Sequence, residues 1–483
     1  MKTKNGRIGG LTLVVALFLM ALGSCTTDYV TGKRTFSLVS ESQEVALGKE
    51  ADPQIVAEYG LYDDPELGAF IDQLGKRLAA KSQRPQLEYT FRVLDSPIVN
   101  AFALPGGYIY VTRGILAHFN SEDELAGVLG HEIGHVVARH SAEQISRQQL
   151  AGLGLGLGVV LWEDFRPYAE LAGFGMGLLL LKYSRGQESE SDMLGVEYST
   201  KLGYDAQEMA GFFGTLKRMR GESGQGLPSF MSTHPDPGDR EVRVGQLANE
   251  WQQKVAYQPL NKNRYDYLKR IDGMVHGDDP RQGYVEKNVF YHPALRFKFP
   301  VHADWQVVNS PSTVMMVSPD EKAIIQLRLG KTDSPEQEVA EFVAGGKITV
   351  RQKRNAKVHA FSAIILETVV SGDDGNLGVL SYFIKKDQKV YVFHGYTTSE
   401  LYGKYSAGFA SVMEGFDEVR DRAVLDKKPE RLYVKKAPVN GNLGQVLRRM
   451  GMKEDKLNDL AVVNGMELRD PVRSGDWIKV VSE

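Results

Sequence analysis

Cysteine is nearly absent: the 483 residues contain one, Cys25, so no disulfide can close within the chain. A positive charge excess is also missing. Lys and Arg number 58 against 61 Asp and Glu, a formal charge of −3, so no basic surface argues for a nucleic-acid partner. No internal repeat is visible, which excludes a solenoid built from repeats of about 20–50 residues. Apolar runs are short. Leu11–Leu22, 151–161 and 171–181 all fall below the roughly 20 residues a membrane-spanning helix needs.

What is there reads as a globular chain of two to four domains, with 42% hydrophobic and 25% charged residues. Lys2, Lys4 and Arg7 precede the first apolar run, and small residues follow it, the pattern of an export signal over 1–24. "LGSC" (Leu22–Cys25) resembles the lipobox of bacterial lipoproteins. That resemblance implies cleavage before Cys25 and acylation there, giving a stable lipid anchor. With Thr26 and Thr27 following, it implies an outer-membrane lipoprotein facing the periplasm of a Gram-negative-type cell.

The expected organisation is a polar, lipidated tether over 25–40, a mainly helical domain over 41–255 with a small β-sheet, and a polar linker over 256–288. A small α+β domain follows over 289–420, then a last module over 428–483. The fold class is therefore multidomain α+β. "AGLGLGLGVVL" (151–161) and "LAGFGMGLLLL" (171–181) are separated by the charged "WEDFRPYAE" and read as a close-packed helix pair.

One stretch concentrates chemistry. "SEDELAGVLGHEIGHVVARHSAEQISRQQ" opens with Ser121 and Glu124 at capping-box spacing, and its apolar periodicity predicts one helix from Glu122 to Gln148. His131 and His135, four apart, share a face of that helix. Glu132 lies about 100° around and reaches beside a bound ion without ligating it. Two neutral imidazoles suit Zn²⁺ and leave room for a third protein ligand and a water, whose proton Glu132 takes as general base. Two satisfied histidines beside an exposed glutamate are the plain alternative, and they account poorly for this pattern in a buried helix. Gly130 and Gly134 weaken the helix by roughly 1 kcal/mol each, which makes sense where another backbone approaches.

A third ligand is expected in "YSRGQESESDMLGVEYSTKLGY" (183–204), where Glu188 and Asp192 stand four apart. By spacing, either could ligate and the other could take the spare N–H of a ligand histidine. Glu190 is expected to face solvent.

"HEIGH", "YSRGQESESDMLG" and "THPDPGDR", in this order, resemble the membrane-associated zinc metallopeptidases of the HtpX, BepA and CAAX prenyl protease type. The resemblance covers roughly 41–255 and implies a zincin-like domain holding one Zn²⁺ through His131, His135 and Glu188. Glu132 and Asp192 become the catalytic candidates, Asp192 by orienting a ligand. "NAFALPGGYIYVTRGIL" (100–116) matches the family's edge strand, so Asn100, Ala101, Phe102 and Ala103 would line the substrate. The resemblance also offers His234 as a fourth zinc ligand that keeps the enzyme latent, although a solvated or capping histidine stays open. Arg240 would order that loop by pairing with a carboxylate. His118 and His140 have no counterpart and read as structural.

The last module resembles a LysM fold, strand–helix–helix–strand, through "LAVVNG" and "VRSGDWIKVV". Its opening turn, "APVNGNL", departs from the family, so peptidoglycan binding and a plain structural role both stay open. Residues 289–420 faintly resemble the PsbP-like fold. The functional expectation is a zinc metalloendopeptidase of the cell envelope acting on misfolded or unassembled proteins. A non-proteolytic chaperone-like lipoprotein and a peptidoglycan-binding adaptor are the alternatives.

Overall fold

The structure is a computed structural model that describes residues 25–155, 182–222, 230, 234, 237–260, 263–345, 347–372 and 375–483. The expected signal segment and the glycine-rich pair beyond Leu155 lie outside the described residues. Among the described residues no helix is long and apolar enough to cross a membrane.

The first half is helical around a three-stranded sheet. Thr90–Leu94 runs parallel to Tyr108–Thr112, and Ala101–Leu104 pairs antiparallel with the other side of that central strand. Ala101–Leu104 is therefore a sheet edge. The tight Pro105–Gly106–Gly107 turn requires glycine twice, with φ of 79° and 95°. A Cβ on Gly106 would also stand 2.7 Å from Val45 Cα.

The helix carrying the His-Glu-x-x-His motif spans Glu122–Val137. Ser121 Oγ accepts from the Glu124 amide at 3.2 Å. The return half of the expected capping box is displaced by one residue: the Glu124 carboxylate accepts from the Asn120 amide at 2.6 Å. The predicted single helix to Gln148 is corrected to two, because the chain breaks after Val137 and restarts at His140–Leu155. Arg139 makes the break with a positive φ of 58°. Its guanidinium is held by the buried Glu44 carboxylate at 2.7 Å and the Val39 carbonyl at 2.8 Å, and Arg84 shares Glu44 at 3.2 Å. Within the expected tether, Cys25–Thr27 pairs antiparallel with Arg34–Phe36, and Val39 is buried.

The stretch read as a linker is packed. The helix Arg264–Arg270 buries Tyr267 and Leu268, and the Tyr267 hydroxyl donates to the Leu116 carbonyl at 2.7 Å. Ile271 and Met274 join the same core. A few large apolar residues at helical spacing outweigh the polar residues around them.

The second half holds a seven-stranded antiparallel sheet whose longest strands form a meander from Ile348 to Thr398. Alternation along Phe361–Gly372 sends Ile364 and Leu366 to one face, under the helix Pro335–Ala344. Ala363 and Ile365 face the helix Tyr402–Glu414. At the C-terminal end, Arg431–Lys436 pairs antiparallel with Trp477–Ser482 around the helices Leu443–Arg449 and Leu457–Val463. This unit does not hang free. Leu432, Leu460 and Ile478 share one apolar cluster with Leu116, Phe119 and Leu125. Lys479 Nζ donates to the carbonyls of Ala117 and Phe119 at 2.7 and 3.0 Å, just ahead of the motif helix.

Candidate metal centre

Two helices meet here at backbone distance. A Cβ on Gly130 would stand 3.0 Å from Gly195 Cα, and one on Gly134 would stand 3.0 Å from Ser191 Cα. Only residues without a Cβ let the motif helix and the helix Arg185–Lys201 lie so close. Ser184 caps the second helix in a full capping box with Gln187. Glu188 falls in its first turn, where the helix end favours a carboxylate.

One ligand atom from each of His131, His135, Glu188 and His234 lies within 4.8 Å of the others. All four residues are buried. His131 Nε2 and His135 Nε2 are 3.0 Å apart, and each lies 3.6 Å from a Glu188 oxygen. His234 Nδ1 is 3.0 Å from Glu188 Oε1 and 3.3 Å from His131 Nε2. Its ring stacks on Phe230, with centroids 4.6 Å apart, and the Phe230 amide donates to the Val99 carbonyl at 3.1 Å beside the edge strand.

The donor set tests well against a divalent metal. Imidazole nitrogens and a carboxylate converge on one point, a donor set suited to a divalent cation between them. Glu132 is 0% exposed, yet among the described residues neither of its carboxylate oxygens has a hydrogen-bond partner. An orphaned buried carboxylate is costly unless a ligand completes its surroundings. His234 Nε2 stands 3.6 Å from its Oε1.

A carboxylate hub stands behind the ligands. Asp192 Oδ1 lies 3.1 Å from His131 Nδ1 and so takes that ring's N–H. Arg240 grips Asp192 with two bonds, at 2.6 and 3.0 Å, and reaches Glu188 at 2.9 Å. Arg243 adds a third bond to Asp192 at 2.7 Å. Although burial alone would raise the Asp192 pKa, Arg240 and His131 hold it well below the usual carboxylate range. Glu188 is shifted downward too: burial opposes ionisation, but His234, His131 and Arg240 favour it more. Burial pushes Glu132 upward, against the pull of His234 and His131. Burial, joined by His131 and His140, drives His135 well below its ordinary value and keeps that ring neutral.

Sequence reading missed part of this site. His140, read as structural, and Glu190, read as solvent-facing, stand beside the ligands: His140 Nδ1 is 3.0 Å from His135 Nδ1, and His140 Nε2 is 3.1 Å from Glu190 Oε2, whose side chain stays partly exposed. Along a straight helix His140 would lie about 140° from His135. The break at Arg139 folds it back. Tyr183 was also missed; its ring stacks 4.0 Å from His135. Asn100 immediately precedes the edge strand, its amide donating to Thr112 Oγ1 at 3.2 Å, and the side chains of Ala101, Phe102 and Ala103 are buried. His118 stays outside the cluster, bonded to the Gly114 carbonyl at 2.7 Å.

Residues 66–247 match the model of peptidase family M48. The chain is 31% identical over 229 residues to a mitochondrial metalloendopeptidase OMA1 of Schizosaccharomyces pombe, covering 47% of this chain and 67% of that protein. The chain belongs to peptidase family M48. Another relative is a beta-barrel assembly-enhancing protease of Yersinia pestis, 30% identical over 260 residues, covering 51% of this chain and 52% of that protein. The chain spans about half the length of most curated relatives it matches. Among solved structures, a PsbP protein of Synechocystis is matched over 28% of this chain and 91% of its own, at 12% identity and a TM-score of 0.23. The M48 region ends before the seven-stranded sheet begins, so the sheet and the C-terminal unit lie outside the family match.

Proposed function

We propose that the chain is a zinc-dependent endopeptidase of the bacterial cell envelope, anchored through Cys25 and acting on misfolded or unassembled envelope proteins. The substrate class follows from the name of the Yersinia relative, a beta-barrel assembly-enhancing protease. The carrying observation is the convergence of His131, His135 and Glu188 beside the orphaned carboxylate of Glu132.

His131, His135 and Glu188 would hold the ion. When bound, Zn²⁺ supplies Lewis-acid polarisation of the scissile carbonyl and acidifies a water. Glu132 would take a proton from the attacking water and pass it to the leaving amine, and burial raises its affinity for that proton. Asp192 fixes His131 with Nδ1 protonated and Nε2 free. An extended substrate would pair with Ala101–Leu104. His234 would be a removable fourth donor. The C-terminal unit, LysM-like in element order, is proposed as a docked part of the enzyme that also offers a face to the cell wall.

The test compares casein degradation by the wild type and Glu132→Gln, with zinc measured in both. Equal zinc content with activity lost by about 10²–10⁴-fold supports the reading. Equal activity in both removes it.

A further inference from the structure

Each motif histidine needs its non-ligating nitrogen held if its ligating nitrogen is to aim correctly. For His131 that partner is Asp192, directly. For His135, among the described residues, Nδ1 pairs with no carboxylate but with a nitrogen of another imidazole, His140 Nδ1 at 3.0 Å. Two ring nitrogens at that distance require one to donate and the other to accept. His135 Nε2 faces His131 Nε2 and Glu188, so as a ligand it carries no proton. The neutral ring therefore keeps its proton on Nδ1 and donates it to His140. His140 then holds its own proton on Nε2, which lies 3.1 Å from Glu190 Oε2.

We propose, resting on the zinc reading above, that His140 and Glu190 are positioning residues for the metal centre, a carboxylate–imidazole relay that fixes the tautomer and aim of His135. The backbone is built to deliver this contact. Arg139 at φ 58°, clamped to Glu44 and the Val39 carbonyl, breaks the helix and returns His140 to His135. His140 is 1% exposed, whereas the Glu190 side chain is 28% exposed, so the relay ends at a solvated charge. The Ser191 hydroxyl, 3.4 Å from His140 Nδ1, is a weaker second partner of the same nitrogen.

The test titrates the metal-free full chain with zinc against a chromogenic chelator, for the wild type, His140→Phe, His140→Gln and Glu190→Ala. Phe keeps a ring beside Tyr183 and removes the acceptor; Gln removes the ring and restores an acceptor. The relay predicts a zinc Kd raised about 10–100-fold in His140→Phe, recovered for the most part in His140→Gln, and raised several-fold in Glu190→Ala. A pure packing role predicts the reverse order for Phe and Gln, and that order, or a wild-type Kd in His140→Phe, overturns the proposal. Thermal melting of the metal-free forms shows whether each variant folds. If His140→Phe does not fold, an unchanged Kd in Glu190→Ala is the contradicting result. A wild type that binds no zinc would sink the metal-centre reading itself, a distinct outcome.

Discussion

A Cβ on Gly195 would stand 2.9 Å from the backbone nitrogen of His131. The metal centre thus depends on a backbone contact that uses no ligand side chain. Gly195→Val forces the two helices apart, at a cost of about 1–3 kcal/mol for overpacking. A lower melting temperature together with weaker zinc binding is expected, from calorimetry and chelator competition. Unchanged values for both would show that the helices are free to separate.

Asp192 is the charge on which His131, Arg240 and Arg243 converge. Asp192→Asn keeps the shape and removes the charge, leaving buried Arg240 underpaired. Stability should fall by about 3 kcal/mol in denaturant titration, and zinc affinity by about 10–100-fold. A variant as stable as the wild type would mean that Glu188 alone satisfies Arg240.

His234 is expected to restrain activity. His234→Ala should retain zinc through the other three residues and cleave casein faster by about tenfold, the worth of one hydrogen bond to a charged group. Reduced cleavage at full zinc occupancy would assign His234 to the reaction instead of to latency.

Acid sensitivity should come partly from the seven-stranded sheet. Burial pushes His394 down to about 3, and Arg328 adds to the effect. Its ring lies under Phe342 and bonds Ser381 Oγ at 2.8 Å. A depressed pKa gives stability that is complete above the unfolded value near 6.5 and is lost as pH falls toward 3. By pH 4.5 the loss is about 2–3 kcal/mol. His394→Gln should narrow the difference in melting temperature between pH 7 and pH 4.5; an unchanged difference would place the sensitivity in other groups.

Much of the centre was legible because its signals are local. Four-residue spacing places His131 and His135 on one face, and the same spacing joins Glu188 to Asp192. Gly130 and Gly134 announced a close neighbour before Gly195 and Ser191 were seen to supply it. What stayed hidden depends on residues far apart in sequence. The break at Arg139 is enforced by Glu44, ninety-five positions upstream, so neither the second helix nor the role of His140 shows in the motif's own periodicity. Tyr267 and Leu268 looked like linker residues because their partner, Leu116, is remote. The docking of the C-terminal unit likewise turns on Lys479 reaching carbonyls more than three hundred positions away.

The most direct measurement is anomalous diffraction at the zinc absorption edge, from crystals of the full chain grown with zinc. One peak per chain is predicted, about 2.0–2.2 Å from His131 Nε2, His135 Nε2 and a Glu188 oxygen. A peak held by other residues, or none among these three, would contradict the account.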